Sequence, residues 1–367
     1  MKAAGFTADV INTLSLDSLK KIVKYHITNG AVSDTALSNA SVCIKQNCLL
    51  DSVFFNASFG YRRYIHSLYV KKYGGSLSIN GWFVNNNSGA PVKASNGYIY
   101  TINLVLQPPA QRVWDIVKSR PELNYYVAAI NIIDSIYYTK NFYAVALMAT
   151  DSALFNQVVF DGYSGDGSFN TSPKSVIPTV FAPTNTAFIN AGFPDIASIR
   201  TKIVGSMKTN VSLPSPYTYL THDVPSASAP IYSIGSNGTI IIGYGTYYLP
   251  FDSMLKMHYL FPVDQSGGSG TSFSTLIPYT DLTNNPSINN GVFNISTINT
   301  NIRGANSSIT PYQLQFSSLG GLLQIQWNPA GTNNITVNTD ANQLTRNTNF
   351  WALNGVVYEC DRLFYNQ

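Results

Sequence analysis

The chain has 367 residues, 45% of them hydrophobic and 11% charged, with a formal net charge of +4. That length fits two domains or one large one with filled cores. The charge is too small and too dispersed for a nucleic-acid surface, since no stacking aromatics accompany the basic clusters at 20–24, 62–63 and 71–72. Twenty-four tyrosines and nineteen phenylalanines favour strands. A polar, weakly charged surface suits an exported protein better than a cytosolic enzyme.

In chain order, residues 14–27 predict a helix with Leu16, Leu19, Ile22 and Val23 on one face and lysines mainly on the other. Ser15 or Asp17 is placed to cap its start, and Asn29-Gly30 to end it. Cys43 and Cys48, five apart, are compatible with a loop disulfide or with two small apolar side chains. Asn96-Gly97 signals a tight turn. The strand that follows sets Tyr98, Tyr100, Ile102, Leu104 and Leu106 on one face.

Residues 110–135 predict two short helices broken at Pro121, with Val113, Ile116 and Val117 on one face. Residues 176–193, VIPTVFAPTNTAFINAGF, predict a buried strand, a turn, and a helix capped by Thr184 or Asn185. The stretches around SLPSPYTYLTHDVPSASAPIY and DQSGGSGTS predict loops or hairpins. At the end of the chain, ALNGVVYECDRL repeats the turn-and-strand grammar of 92–106 and makes Cys360 a buried free thiol. The apolar runs are shorter than the roughly 20 residues of a membrane span, and residues 1–30 show no signal peptide.

Three anchors recur. Ala-Gly-Phe at 191–193 falls on 4–6, His258 on His26, and Gly355 on Gly97, with offsets of 193 − 6 = 187, 258 − 26 = 232 and 355 − 97 = 258. Steadily growing offsets mean one unit present twice, with insertions in the second copy. The units are 1–109 and 110–367, the second with insertions near 200–250 and 262–345. On this alignment the first unit opens in the tail of a helix. It is therefore expected to lack the opening helices and box strand, with an open sheet edge and exposed core, and Met1 reads as an internal residue or fragment boundary.

These boxes resemble the fasciclin domain family: Trp-Asp in the opening helix (Trp114-Asp115), the strand-turn-helix box at Thr179–Phe188, the helix ending in Tyr25-His26, and the N-G-x-hydrophobic boxes at Asn96–Asn103 and Asn354–Asp361. In the second copy Met257 replaces the tyrosine, so only His258 matches. The resemblance implies an α+β fold of tandem fasciclin-like domains, each a β-sandwich wedge with packed α-helices. It also implies a non-enzymatic adhesion or ligand-binding protein of a bacterial surface or envelope, exported, and held through an upstream lipid anchor outside this chain. A surface protein, matrix component or glycan is the implied partner. An accessory glycan-binding component of an outer-membrane uptake system, with the insertion of the second copy as its ligand surface, is the alternative, and a hydrolase using acidic residues in that insertion the third reading.

No catalytic, metal or cofactor motif stands out. None of the four histidines forms HExxH or HxH, no G-x-S-x-G elbow occurs, and GYSGDGS at 162–168 lacks the alternating acids of a calcium loop. The candidate binding residues are Tyr25, His26 and His258 by resemblance, set against a histidine hydrogen-bonded within the core. Tyr217, Tyr219, Tyr247 and Tyr248 in the insertion are candidates because loop tyrosines give contact area at low entropy cost. The competing expectation is that they pack the insertion onto its own domain.

Overall fold

The computed structural model describes residues 12–56, 60–85, 90–140, 179–206, 276–291 and 351–364. Shorter pieces are described at 208–209, 233–234, 240–241, 247–248, 251, 254–255, 258–260, 295–296, 313–319, 322–327 and 335–337. The architecture is mixed α+β.

Helix α1 (Leu16–Tyr25) starts at Ser15, whose hydroxyl oxygen accepts from the Ser18 N–H at 3.2 Å. It stops at His26, earlier than Asn29-Gly30 suggests, and Gly30 takes its left-handed φ of +112° in the turn beyond. Helix α2 (Asp34–Asn39) is capped by Ser33. Strands β1 (Ile44–Asn56), β2 (Gly60–Tyr73), β3 (Ser76–Ile79) and β4 (Trp82–Asn85) follow as an antiparallel sheet in that order. Asn80 and Gly81, both at positive φ (53° and 84°), turn β3 into β4. That geometry is the two-residue turn for which Asn-Gly is the preferred pair. Strands β5 (Val92–Ala94) and β6 (Gly97–Ile99) form a hairpin, after which the chain runs beside β4, with Asn103 N–H donating to Val84 O at 2.8 Å. Tyr25, Leu37, Leu68, Leu77, Val84 and Leu106 lie in the core between.

Helix α3 (Val113–Ser119), a 3₁₀ turn (Pro121–Leu123) and α4 (Asn124–Lys140) open the second unit. Pro121 separates the helices as expected, but α4 runs for 17 residues. Strand β7 (Thr179–Pro183) is buried along its length. It leads through Thr184, the cap, into α5 (Asn185–Asn190) and then α6 (Ile196–Gly205). Asn185 instead ties the box to the opening helices: its side chain accepts from Tyr125 N–H and donates to Pro121 O, both at 2.9 Å. Within the insertion, β8 (Lys208–Thr209) pairs with β11 (Tyr247–Tyr248), and β9 (Ser233–Ile234) with β10 (Ile240–Ile241).

Then come β12 (Tyr259–Leu260), α7 (Tyr279–Asn284), β13 (Ile295–Ser296), β14 (Gln313–Leu319), β15 (Leu322–Trp327), β16 (Ile335–Val337), β17 (Trp351–Ala352) and β18 (Gly355–Cys360). The sheet order is β12-β7-β18-β16-β15-β14-β13, with β17 on β18. The strand-turn-helix box and the second Asn-Gly box are thus neighbours: β7 and β18 run parallel, from Thr179 beside Val356 to Pro183 beside Cys360. Alternation along them feeds two cores. Val180, Ala182 and Val357 pack with α3–α6, while Phe181, Val356, Tyr358 and Cys360 pack with β14–β16.

The apolar face of α1 is not buried as its pattern predicts. Leu16 is 66% and Val23 57% exposed, and of the helix only Tyr25 is buried. The residues 232 further on from Leu19, Ile22 and Val23 are Phe251, Met254 and Leu255, and these are buried in the core with α3–α6. Among the described residues the first unit has no such helical layer.

Candidate functional site

Two histidines were singled out as equivalent positions, and the structure gives them the same work. The Leu106 N–H donates to His26 Nε2 at 3.0 Å, and the Phe364 N–H donates to His258 Nε2 at 3.0 Å. The donors are 364 − 106 = 258 apart, the same offset as the two Asn-Gly boxes. His26, the residue that ends α1, is thereby tied to the chain seven residues beyond β6, and His258 to the chain four residues beyond β18. An Nε2 that accepts requires the proton on Nδ1, and Nδ1 is in position to donate in both. From His26 it reaches Ile22 O of its own helix at 2.7 Å. From His258 it reaches Phe181 O of β7 at 2.9 Å, and the Phe181 N–H returns a bond to His258 O at 2.7 Å.

This arrangement leaves no ring nitrogen of His258 for a ligand. The side chain is fully buried, stacked on Phe364 at 4.2 Å between ring centroids, and burial pushes its imidazole pKa down to about 3. Tyr25 is equally enclosed, with its hydroxyl accepting from Asn80 Nδ2 at 2.9 Å, and burial raises its pKa. The structure buries Tyr25 and His258, leaves His26 half-buried, and does not bring the three together into one site. Tyr247 and Tyr248 form β11; Tyr217 and Tyr219 lie outside the described residues.

The three cysteines are free and buried. Cys48 donates to His66 O at 2.9 Å, and burial raises its thiol pKa to about 11. Burial also raises those of Cys43 and Cys360. His66 is a buried histidine the sequence reading did not single out. Its Nε2 is 2.8 Å from Ser52 Oγ, its ring meets Tyr64 edge-on, and burial pushes its pKa down to about 4. The alternation of β2, which sends Tyr64, His66 and Leu68 to one side, was the available signal.

What points outward is the far end of the β1–β2 hairpin. Register pairs Val53 with Arg63 and Phe55 with Tyr61. On this face Val53 is 63% and Tyr61 75% exposed, and Arg63 reaches Asp51 at 3.1 Å. The opposite face is turned inward: Tyr64 donates to Leu353 O at 2.5 Å, tying the hairpin to the second unit. Among the described residues, no group of three or more His, Cys, Asp and Glu side chains is placed to hold a metal. A shallow groove of about 610 Å³ lies between Phe193 and α6, with Lys202 and Ser198 on its wall.

The family model of the fasciclin domain matches residues 3–108, which is 106 of the 367 residues and corresponds to the first unit, the one whose boxes are not split by long insertions. Fasciclin domains are as a class extracellular or surface modules of adhesion or ligand binding, generally without enzymatic activity. A solved FAS1 domain pair from the insect cell adhesion molecule fasciclin I is similar at 14% identity, over 97% of this chain and 83% of that one, with a TM-score of 0.29. No curated protein matches the sequence. No helix among the described residues is long and apolar enough to cross a membrane.

Proposed function

We propose that the chain is a non-enzymatic adhesion or ligand-binding protein of the cell exterior, built from two fasciclin-type units at 1–109 and 110–367. The observation that carries this reading is the contrast between the two kinds of surface. Among the described residues His258, Cys43, Cys48 and Cys360 are enclosed and hydrogen-bonded, whereas the β1–β2 hairpin presents Val53, Tyr61 and the Arg63–Asp51 pair to solvent. An aromatic and an aliphatic side chain held on paired strands offer contact area with little ordering cost on binding. Ligands of two kinds suit such a face, a surface or matrix protein and a glycan, and the test distinguishes them.

The full chain would be screened for binding to an immobilised glycan panel and to extracellular-matrix and envelope proteins, with hydrolysis of each glycan measured in parallel. Binding without turnover is expected. The double variant Val53→Ser, Tyr61→Ser should weaken it at least about tenfold, the loss of a small apolar contact cluster, while leaving the unfolding midpoint in place. Turnover of any polysaccharide overturns the reading, and so does binding untouched by the double variant.

A further inference from the structure

We infer that residues 276–291, inserted in the second unit, are a clamp that joins the two units into one cooperative body. The clamp centres on Asp281, 1% exposed. Its Oδ2 accepts from the Cys43 N–H at 2.9 Å, and its Oδ1 accepts from the Tyr73 hydroxyl and from Asn285 Nδ2 at 3.0 Å. Cys43 and Tyr73 belong to the first unit, one just before β1 and the other at the end of β2. Asn285 Nδ2 also donates to Ser41 O at 2.6 Å, and Lys71 Nζ donates to that same carbonyl at 2.9 Å. One residue earlier, Thr280 Oγ1 meets Ser78 Oγ at 2.6 Å in a buried contact.

The backbones touch as well. A Cβ on Gly81 would stand 2.8 Å from Tyr279 N, so the β3–β4 turn admits α7 only because residue 81 has none. Around this polar seam the apolar packing is shared: Cys43 and Tyr69 sit in the same core as Phe316, Tyr358 and Trp351, and the Tyr69 and Trp351 rings are 5.5 Å apart.

Units joined by a small polar contact move independently. Here a buried carboxylate takes donors from both units, and one unit contributes side chains to the other's core. A buried carboxylate stripped of donors is costly, so partial opening is penalised and this relative placement is the one that satisfies the seam. The units should therefore open together.

Hydrogen exchange of the full chain across a urea series tests this, reading amides of β3–β4 for the first unit and of β18 for the second. The wild-type chain should show coincident midpoints. Asp281→Ala should separate them, the first unit opening about 1 M urea earlier; Asp281→Asn, close in shape, should separate them less. Asn284→Ala, at an exposed position of the same helix, should leave them together. Separate midpoints in the wild-type chain overturn the inference. Coincident midpoints in the Asp281 variants do the same, and if Asp281→Ala does not fold, Asp281→Asn decides.

Discussion

Lowering the pH below neutrality should destabilise the protein through His258, and a non-titrating side chain there should remove that part of the loss. In the folded chain the Phe364 N–H points at Nε2, so a second ring proton has no place, and full burial holds the pKa at about 3. The unfolded chain has a histidine of ordinary pKa, about 6.5. Below that value the unfolded state binds a proton the folded state refuses, so stability falls as pH drops through 6.5 and stops falling near 3. Each pH unit in that window is worth about 1.4 kcal/mol, which gives about 2 kcal/mol by pH 5 and about 5 kcal/mol at the lower limit.

His258→Gln keeps a donor and an acceptor but carries no titrating proton. Urea midpoints at pH 7.5, 6.5, 5.5 and 5.0, followed by tryptophan fluorescence, would be compared between the two chains. The wild-type curve should drop more steeply, with the difference between chains growing by about 2 kcal/mol across the range. Carboxylates titrate mainly below it. Equal slopes for the two chains would refute the latch as a buried neutral imidazole.

Two further outcomes are expected. Asn354→Ala removes the oxygen that accepts the Val113 N–H at 2.8 Å in a buried position, leaving the first amide of α3 unpaired, and should cost about 1–3 kcal/mol by urea unfolding. The three thiols, buried and raised in pKa, should react with a thiol reagent at pH 8 only after denaturation, when all three titrate.

Local chemistry was legible in the sequence where it is written in adjacent residues. Ser15 and Thr184 cap their helices, Pro121 parts α3 from α4, and the box strand Thr179–Pro183 is buried on both faces. The Asn-Gly boxes were also legible, because each keeps its place in a hairpin: Ala94 pairs with Gly97, and Ala352 with Gly355. Two kinds of feature were not. The face of α1 has a helical apolar period in either setting, and period does not say what lies opposite. The clamp joins Cys43 to Asp281, 238 residues apart, through a backbone amide that leaves no trace in side-chain chemistry. Only the Asn80-Gly81 pair, a turn signal of the same kind as the others, hinted at the β3–β4 hairpin on which α7 rests.

The two latches show what a shared plan leaves free. Both histidines accept a backbone amide on Nε2, from Leu106 and from Phe364, each a few residues beyond its unit's closing strand. They differ on the other nitrogen. His258 donates to Phe181 of β7 and so ties the box strand to the segment that follows β18. His26 donates within its own turn and ties α1 to the segment that follows β6. The closing strands follow the same division. Gly355–Cys360 lies between β7 and β16 and is buried throughout, while Gly97–Ile99 pairs among the described residues only with β5, leaving Ile99 61% exposed. The first unit's remaining anchorage comes from the second: Tyr64 to Leu353, Tyr73 to Asp281, and Tyr69 against Trp351. The clamp contributes two hydrogen bonds on the buried Asp281 to this anchorage, which is the physical reason to expect its loss to be felt in the first unit.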